Sequence, residues 1–447
     1  MLKAGIISLG CPRNLLDSEI IAGSLKKSGF KICAPEDRVD VCVINTCAFI
    51  ESARAESVDK IMEAARLKKR GLIKRLVISG CLPQLYKSKL AKELKEADLL
   101  VGTSDFPKLA GLLKNIASYA VRRSFISRSL NYLYDEKDPR FRLTPRHYAY
   151  VKISEGCSNF CSYCIISKLR GKFRSRSVPS VVKEVQNISA SNSLREIDII
   201  GQDTTRFGID RYGKIRFAGL LREICRVRNN VRWVRILYTH PAHYTKELIS
   251  VLRDEDKICK YLDLPIQHIS DTVLKRMNRL TTRIEIEKLI GKLRREIPGI
   301  ILRTSLIAGF PGETDKDFKE LLDFVRDTRF ERLGVFIYSR EEGTRAARFA
   351  KQVPQKIKEA RRDEVMRLQR SISSEINRSF LGKTVDVLID TKTENRKPKT
   401  EFTGRTQGDA PEIDGAVLVS GNGIKAGEFY RVRITDSLEY DLVGEKV

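Results

Sequence analysis

A chain of 447 residues with 42% hydrophobic content is long enough for two to four domains with packed cores, which excludes a disordered polypeptide. No apolar run reaches the about 18 residues of a membrane helix, and Met1–Cys11 is too short and glycine-interrupted for an export segment, so a cytoplasmic protein without membrane contact is expected. A formal net charge of +26 implies an anionic partner, most often nucleic acid, and in a reducing compartment ten cysteines read as metal or catalytic chemistry rather than disulfides.

Residues 1–115 alternate short apolar strands with helical stretches. Strands are predicted at Ala4–Leu9, Val39–Asn45 and Leu76–Ser79, and helices at Leu16–Ser28 and Ser52–Lys68. This rhythm reads as an open parallel α/β sheet. Cys11, Cys47 and Cys81 each follow one of the three strands. Ligands of open α/β sheets gather beyond strand carboxyl ends, so the three cysteines are expected to converge. The alternative is three unrelated loop cysteines.

Residues 116–146 are basic and irregular, with Pro139 and Pro145 marking a linker. From 147 to 353 the βα rhythm returns, with strands predicted at Tyr148–Ser154, Glu196–Ile200, Trp233–Tyr238, Tyr261–Leu264, Ile300–Ala308 and Leu333–Tyr338. Six units suit a partial (β/α)6 barrel, whose chemistry sits at the strand carboxyl ends. Residues 354–380 read as one long charged connecting helix. In 381–447 five short strands, Thr384–Ile389, Glu401–Arg405, Ala416–Val419, Phe429–Ile434 and Tyr440–Val443, suggest a small β-barrel. Its residues 401–447 carry five basic and nine acidic side chains, mildly acidic on a basic chain.

The chemistry concentrates in Glu155-Gly-Cys-Ser-Asn-Phe-Cys-Ser-Tyr-Cys164. Three thiolates at this spacing suit three irons of a [4Fe-4S] cluster and leave the fourth iron open. Zinc, which usually takes paired ligands adding to four, and plain buried cysteines are the alternatives; His240 is the next histidine along. The run Lys168–Arg176 has a cation at every second position, which in an extended loop makes one basic face. Gln202 and Asp203 close a strand with two polar groups. Arg303 is a cation inside an apolar strand, read either as a partner for a ligand carboxylate or as a salt-bridged structural residue. Gly309 and Gly312 let the backbone approach a ligand at a helix N-terminus. His268 reads as a hydrogen-bonded core histidine, and Cys33, Cys42, Cys225 and Cys259 as buried apolar groups.

The C-x₃-C-x₂-C motif with an aromatic at Tyr163 resembles the radical S-adenosylmethionine (SAM) superfamily. Ser8–Glu19, Asn45–Ala53, Gly80–Leu82, Arg174–Arg176, Pro265–His268, Gly309–Glu313 and Ala410–Ala416 extend the likeness to the radical SAM methylthiotransferases. Ser8–Glu19, Asn45–Ala53 and Ala410–Ala416 are most similar to the branch acting on an aspartate of ribosomal protein S12. That resemblance implies an N-terminal cluster domain, a radical SAM barrel and a C-terminal TRAM barrel. It implies that Cys157, Cys161 and Cys164 hold one [4Fe-4S] cluster, with SAM bound on its open iron and cleaved to a 5′-deoxyadenosyl radical. Cys11, Cys47 and Cys81 would hold a second cluster that delivers sulfur. One SAM would methylate that sulfur and another would yield the radical that takes hydrogen from the aspartate β-carbon. Tyr163 would pack beside the adenine, with Gln202, Asp203, Arg303, Gly309 and Gly312 lining the cofactor. The small ribosomal subunit, RNA contact and an electron donor such as flavodoxin or ferredoxin are the implied partners. The related branch that makes 2-methylthio-adenosine in tRNA is the alternative. Ser167 stands where the family usually has proline.

Overall fold

The computed structural model describes residues 1–35, 37–116, 123–393 and 402–447. Strands β1 (Lys3–Ser8), β2 (Lys31–Cys33), β3 (Val39–Thr46), β4 (Ile73–Gly80), β5 (Leu99–Val101) and β6 (Arg123–Phe125) form a parallel sheet in the order β2-β1-β3-β4-β5-β6. The three strands read from the sequence are its centre. β2, β5 and β6 have three residues each, too few to show a period. Helix Pro12–Lys27 starts with Pro in its first turn, where the missing N–H costs nothing, and buries Leu16, Ile20, Ile21 and Leu25 on the sheet.

The expected linker is more than a connection. Its residues 117–122 lie outside the described residues, but β6 completes the sheet and 130–145 form a strap between domains. Tyr134 is buried there and donates to Glu184 at 2.8 Å. Arg140 bridges Glu19 of the first helix (2.6 Å) and Glu184 of helix Val178–Ser189 (2.8 Å).

The second sheet is built from β7 (Tyr148–Lys152), β10 (Glu196–Ile200), β11 (Trp233–Ile236), β12 (Ile258–Asp263), β13 (Ile301–Ala308) and β14 (Arg332–Ile337), all parallel, in the order β14-β13-β12-β11-β10-β7. A short antiparallel pair, β8 (Ser154–Glu155) with β9 (Arg174–Ser175), brackets the cysteine loop. This is the six-unit partial barrel. Alternation sets its two faces: Ala149 and Val151 pack outward against helices, whereas Tyr148 and Tyr150 face a separate core shared with the N-terminal sheet.

Helix Gln355–Arg378 leads to a closed barrel of β15 (Thr384–Lys392), β16 (Phe402–Arg405), β17 (Val417–Ser420), β18 (Phe429–Ser437) and β19 (Leu442–Lys446). Position 401, read as the start of the second of these strands, lies outside the described residues. The small barrel plugs the central one. Arg405 reaches into it to meet Glu196 at 2.8 Å while keeping Asp390 of its own barrel at 2.8 Å, and Arg235 holds the same Glu196 at 2.7 Å. Burial and the neighbouring Glu196 charge push the Asp198 carboxyl well above its ordinary range. Arg405→Ala should cost about 1–3 kcal/mol, the penalty of one unsatisfied buried group. It should cost no more, because Glu196 keeps Arg235 and Asp390 is partly exposed (22%). Chemical denaturation checks this; an unchanged midpoint would show that Arg405 does not anchor the module.

The mild acidity of the small barrel does not make an acidic surface. Asp409 pairs inward with Arg332 at 2.6 Å and Asp414 with Arg303 at 3.2 Å. Over 381–447 the composition is ten basic to twelve acidic residues, so the C-terminal charge does not discriminate between a protein and an RNA partner.

Candidate metal centre

β1, β3 and β4 are adjacent, so their carboxyl ends bring Cys11, Cys47 and Cys81 together. Cys11 precedes the first helix and Cys81 opens helix Cys81–Tyr86. The approach is tight. A Cβ on Gly10 (φ +86°) would lie 2.8 Å from the Cys47 sulfur, and one on Gly80 (φ +95°) 2.4 Å from Asn45 Oδ1. Only glycine fits both, since φ and space forbid a side chain. Asn14 donates to the Leu9 and Asn45 carbonyls at 2.7 and 3.1 Å, and Asn45 donates back to Asn14 O at 2.8 Å. Ser57 Oγ accepts from Cys47 N at 3.1 Å. Those polar residues therefore fix the loops.

The thiols are electrostatically unlike. Burial raises the Cys11 thiol, but Arg13, the Asn14 amide and Arg170 together outweigh it and leave the group below its usual value. Burial, with the charges of Cys81 and Cys11, pushes Cys47 up to about 12. Burial also raises Cys81 despite Arg170, whose Nη2 donates to its sulfur at 3.7 Å.

The second triad lies in the loop after β8. Cys157 N donates to Gly171 O at 3.2 Å and Cys164 N to Cys161 O at 3.0 Å, folding the loop back on itself. Phe160 adopts φ +51° and is exposed, while Ser162 is pinned by Met277 O and Ala346 N. Arg279 donates to Cys161 Sγ at 3.9 Å. Burial lifts Cys157 to about 11 and Cys164 to about 12. Among the described residues no three Cys, His, Asp or Glu side chains group tightly enough for a single metal ion. In each triad the thiols lie near enough to sense one another's charge. Three thiolates, one for each of three irons, are a donor set that fits a [4Fe-4S] cluster. Because bound thiols are thiolates, loading must release protons.

The other expected site residues separate into two groups. Gln202 donates to Glu155 at 2.7 Å and leaves its buried Oε1 without a partner. Ser154 Oγ and His240 Nε2 are likewise buried without partners, and burial and Arg279 hold His240 neutral. These are groups a polar cofactor would satisfy. Tyr163 is partly buried and packs against Phe310, ring centroids 6.5 Å apart.

The remaining expectations meet different neighbours. Asp203 is spent on its surroundings, accepting from Asn159 of the cysteine loop at 2.8 Å and from Thr205 of its own turn at 2.6 Å. Arg303 is held by Asp263 at 2.7 Å and by Asp414, so it is the salt-bridged residue of the two readings. A Cβ on Gly309 would meet Lys358 at 2.3 Å and one on Gly312 would meet Arg276 at 2.6 Å. The Gly309 and Phe310 amides are taken by Glu313 at 2.8 and 3.1 Å, and the next helix is capped by Thr314 and Asp317. The close approach these glycines allow is thus to the chain itself. His268 is buried, as expected of a core histidine, and its Nδ1 accepts from Ser270 N at 3.0 Å. The 168–176 run has no basic face, because Arg170 and Arg176 turn inward to Asp17 and Glu184.

Sequence spacing did not reveal the joint between the triads. Asp17 takes Lys152 (2.6 Å) and Arg170; Lys152 also takes Glu155 (2.7 Å). The chain from Cys81 through Arg170, Asp17, Lys152 and Glu155 to Gln202 is continuous. Glu341, after β14, receives Arg54 and the Glu51 amide (3.1 Å), so the barrel caps a helix of the N-terminal domain.

Family models match in three places: Uncharacterized protein family UPF0004 over residues 3–102, the Radical SAM superfamily over 151–325 and the TRAM domain over 381–447. A protein named ribosomal protein uS12 methylthiotransferase RimO from Geotalea uraniireducens is 46% identical over 100% of this chain and 98% of its own length; one of the same name from Clostridioides difficile is 45% identical over 100% and 99%. The chain belongs to the uS12 methylthiotransferase family. Solved structures agree on the fold. The radical SAM methyltransferase TsrM from Kitasatospora setae, with tryptophan and a SAM analog bound, matches at TM-score 0.55 and 14% identity over 88% of this chain and 79% of that one. The cobalamin-dependent SAM radical enzyme OxsB matches at TM-score 0.52 and 13% identity, covering 83% and 56%. For this uS12 methylthiotransferase family member, no helix among the described residues is long and apolar enough to cross a membrane.

Proposed function

We propose that this protein methylthiolates the β-carbon of an aspartate in ribosomal protein uS12. Cys157, Cys161 and Cys164 hold a [4Fe-4S] cluster that, with SAM, supplies the one-electron chemistry able to activate an unactivated C–H bond. Cys11, Cys47 and Cys81 hold a second cluster that supplies sulfur. The observation that carries the reading is that two three-thiol mouths, each at strand carboxyl ends, are joined through Arg170, Asp17, Lys152 and Glu155. Two jobs need two sites, and a rigid bridge sets their separation. Gln202, Ser154 and His240 present the unpartnered polar atoms for SAM, and the Tyr163 ring packs beside it. The domains run 1–115, 147–353 and 381–447, joined by 116–146 and the helix within 354–380. The enzyme works in the cytoplasm and takes electrons from a flavodoxin- or ferredoxin-like donor.

Mass spectrometry of uS12 and of tRNA hydrolysates from a deletion strain tests the substrate. A methylthio group missing from uS12 alone is expected. Loss from a tRNA adenosine with uS12 intact would overturn the assignment.

A further inference from the structure

Arg13 stands where the two triads meet. It follows Cys11, yet its side chain leaves the N-terminal sheet for the barrel mouth. There Nη1 approaches the Gly201 carbonyl at 3.4 Å, one residue before Gln202, and the guanidinium lies 4.4 Å from the centroid of the Tyr238 ring. Its charge acts on the Cys11 thiol, on Cys47 and, from the other triad, on Cys164. Of the arginines around the two triads, Arg170 has Asp17 and Arg303 has Asp263, while Arg279 is held by the Pro265 carbonyl. Arg13 has no carboxylate partner among the described residues. A guanidinium presents five N–H groups in a planar fork, and the contact to Gly201 leaves most of them for a guest. Loaded clusters supply diffuse negative charge; they do not supply the two parallel oxygen acceptors the fork matches.

We propose that Arg13 grips the carboxylate of the target aspartate and so selects it. This rests on the reading of the substrate given above. The carboxylate carbon is bonded directly to the β-carbon. A two-pronged hold on the carboxylate oxygens therefore places the reacting C–H between the radical site and the sulfur site, and only two bonds lie between the gripped oxygens and the reacting carbon. Asparagine offers one acceptor and no charge. Glutamate puts its carboxylate one methylene too far.

The test uses reconstituted holoenzyme with SAM and recombinant uS12 carrying Asp, Asn or Glu at the target position. Wild-type enzyme should bind Asp-uS12 about 10- to 100-fold tighter than Asn-uS12, the range for charge-assisted hydrogen bonds. In Arg13→Gln that preference should fall to within about threefold, with Arg13→Lys between the two as a point charge. Iron content and circular dichroism confirm that each variant is folded and loaded. Equal wild-type affinity for Asp- and Asn-uS12 would overturn the proposal, as would a full preference retained in Arg13→Gln. Both outcomes leave uS12 as the substrate. Wild-type enzyme that ignores every uS12 and modifies tRNA would instead bring down the substrate reading, and this proposal with it.

Discussion

Replacing Cys157, Cys161 and Cys164 together by Ala should remove about half the iron, one of two equal clusters, and abolish SAM cleavage. Replacing Cys11, Cys47 and Cys81 should also remove about half the iron, but 5′-deoxyadenosine should still form under dithionite while no methylthio product appears. The asymmetry follows from geometry. The polar atoms left for a cofactor, Gln202 Oε1, Ser154 Oγ and His240 Nε2, all belong to the barrel, so SAM chemistry keeps its own walls when the N-terminal triad is lost. Among the described residues the N-terminal triad has only Ser79 Oγ of that kind beside it; its other polar groups, Asn14, Asn45, Ser57 and Thr46, are consumed in holding loops. Iron assay, deoxyadenosine chromatography and mass spectrometry of uS12 read the three quantities separately. Full methylthiolation by the Cys11/Cys47/Cys81 variant would end the two-cluster scheme.

Legibility in the sequence tracked the range over which each signal acts. β3 shows itself because a buried parallel strand carries a continuous apolar run, here Val41–Ile44, and the rule placing ligands at strand carboxyl ends then brings three distant cysteines together. β2, β5 and β6 are too short to carry a pattern. The inward turn of Arg170 and Arg176 was hidden for a different reason. Alternating cations look alike whether they face water or a buried carboxylate, and their partners Asp17 and Glu184 are remote in sequence or on another element. The same limit applied at Arg303, whose partner Asp414 comes from the C-terminal barrel. Glycine motifs mislead in a related way. Gly309 and Gly312 do mark a backbone that something approaches closely, but sequence cannot say that the visitor is Lys358 or Arg276. Polar residues that end a strand, such as Gln202 and Asp203, look equivalent in sequence. Packing gives one an open oxygen and closes the other with Asn159, Thr205 and the nearby His243.

The bridge between the triads should be the costliest polar element to break. Asp17, Lys152, Glu155 and Arg170 are nearly or fully buried, with side-chain exposures of 2%, 1%, 7% and 5%, so each cation depends on the two carboxylates rather than on water. Asp17→Ala leaves two buried cations facing one acid and should destabilise the protein by about 3–5 kcal/mol. Asp17→Asn combined with Lys152→Met removes one charge of each sign and should recover more than half of that loss. Denaturant unfolding under anaerobic conditions decides; a cost below about 1 kcal/mol for the single variant would show that solvent, not pairing, carries these charges. The pH dependence has a definite sign. Burial works against the Glu155 carboxylate, but Lys152, Arg170 and the Gln202 hydrogen bond prevail and hold its pKa down to about 2 from an ordinary 4.5. A depressed carboxylate contributes stability above its unfolded pKa and loses it as pH falls toward the folded one. The acid limb below about pH 4.5 should therefore flatten in Glu155→Gln, while stability near neutrality drops. Because Arg170 also touches Cys81, the Asp17 variants should slow sulfur insertion more than SAM cleavage; equal slowing of both would mean that the bridge holds the fold without setting the distance between the two sites.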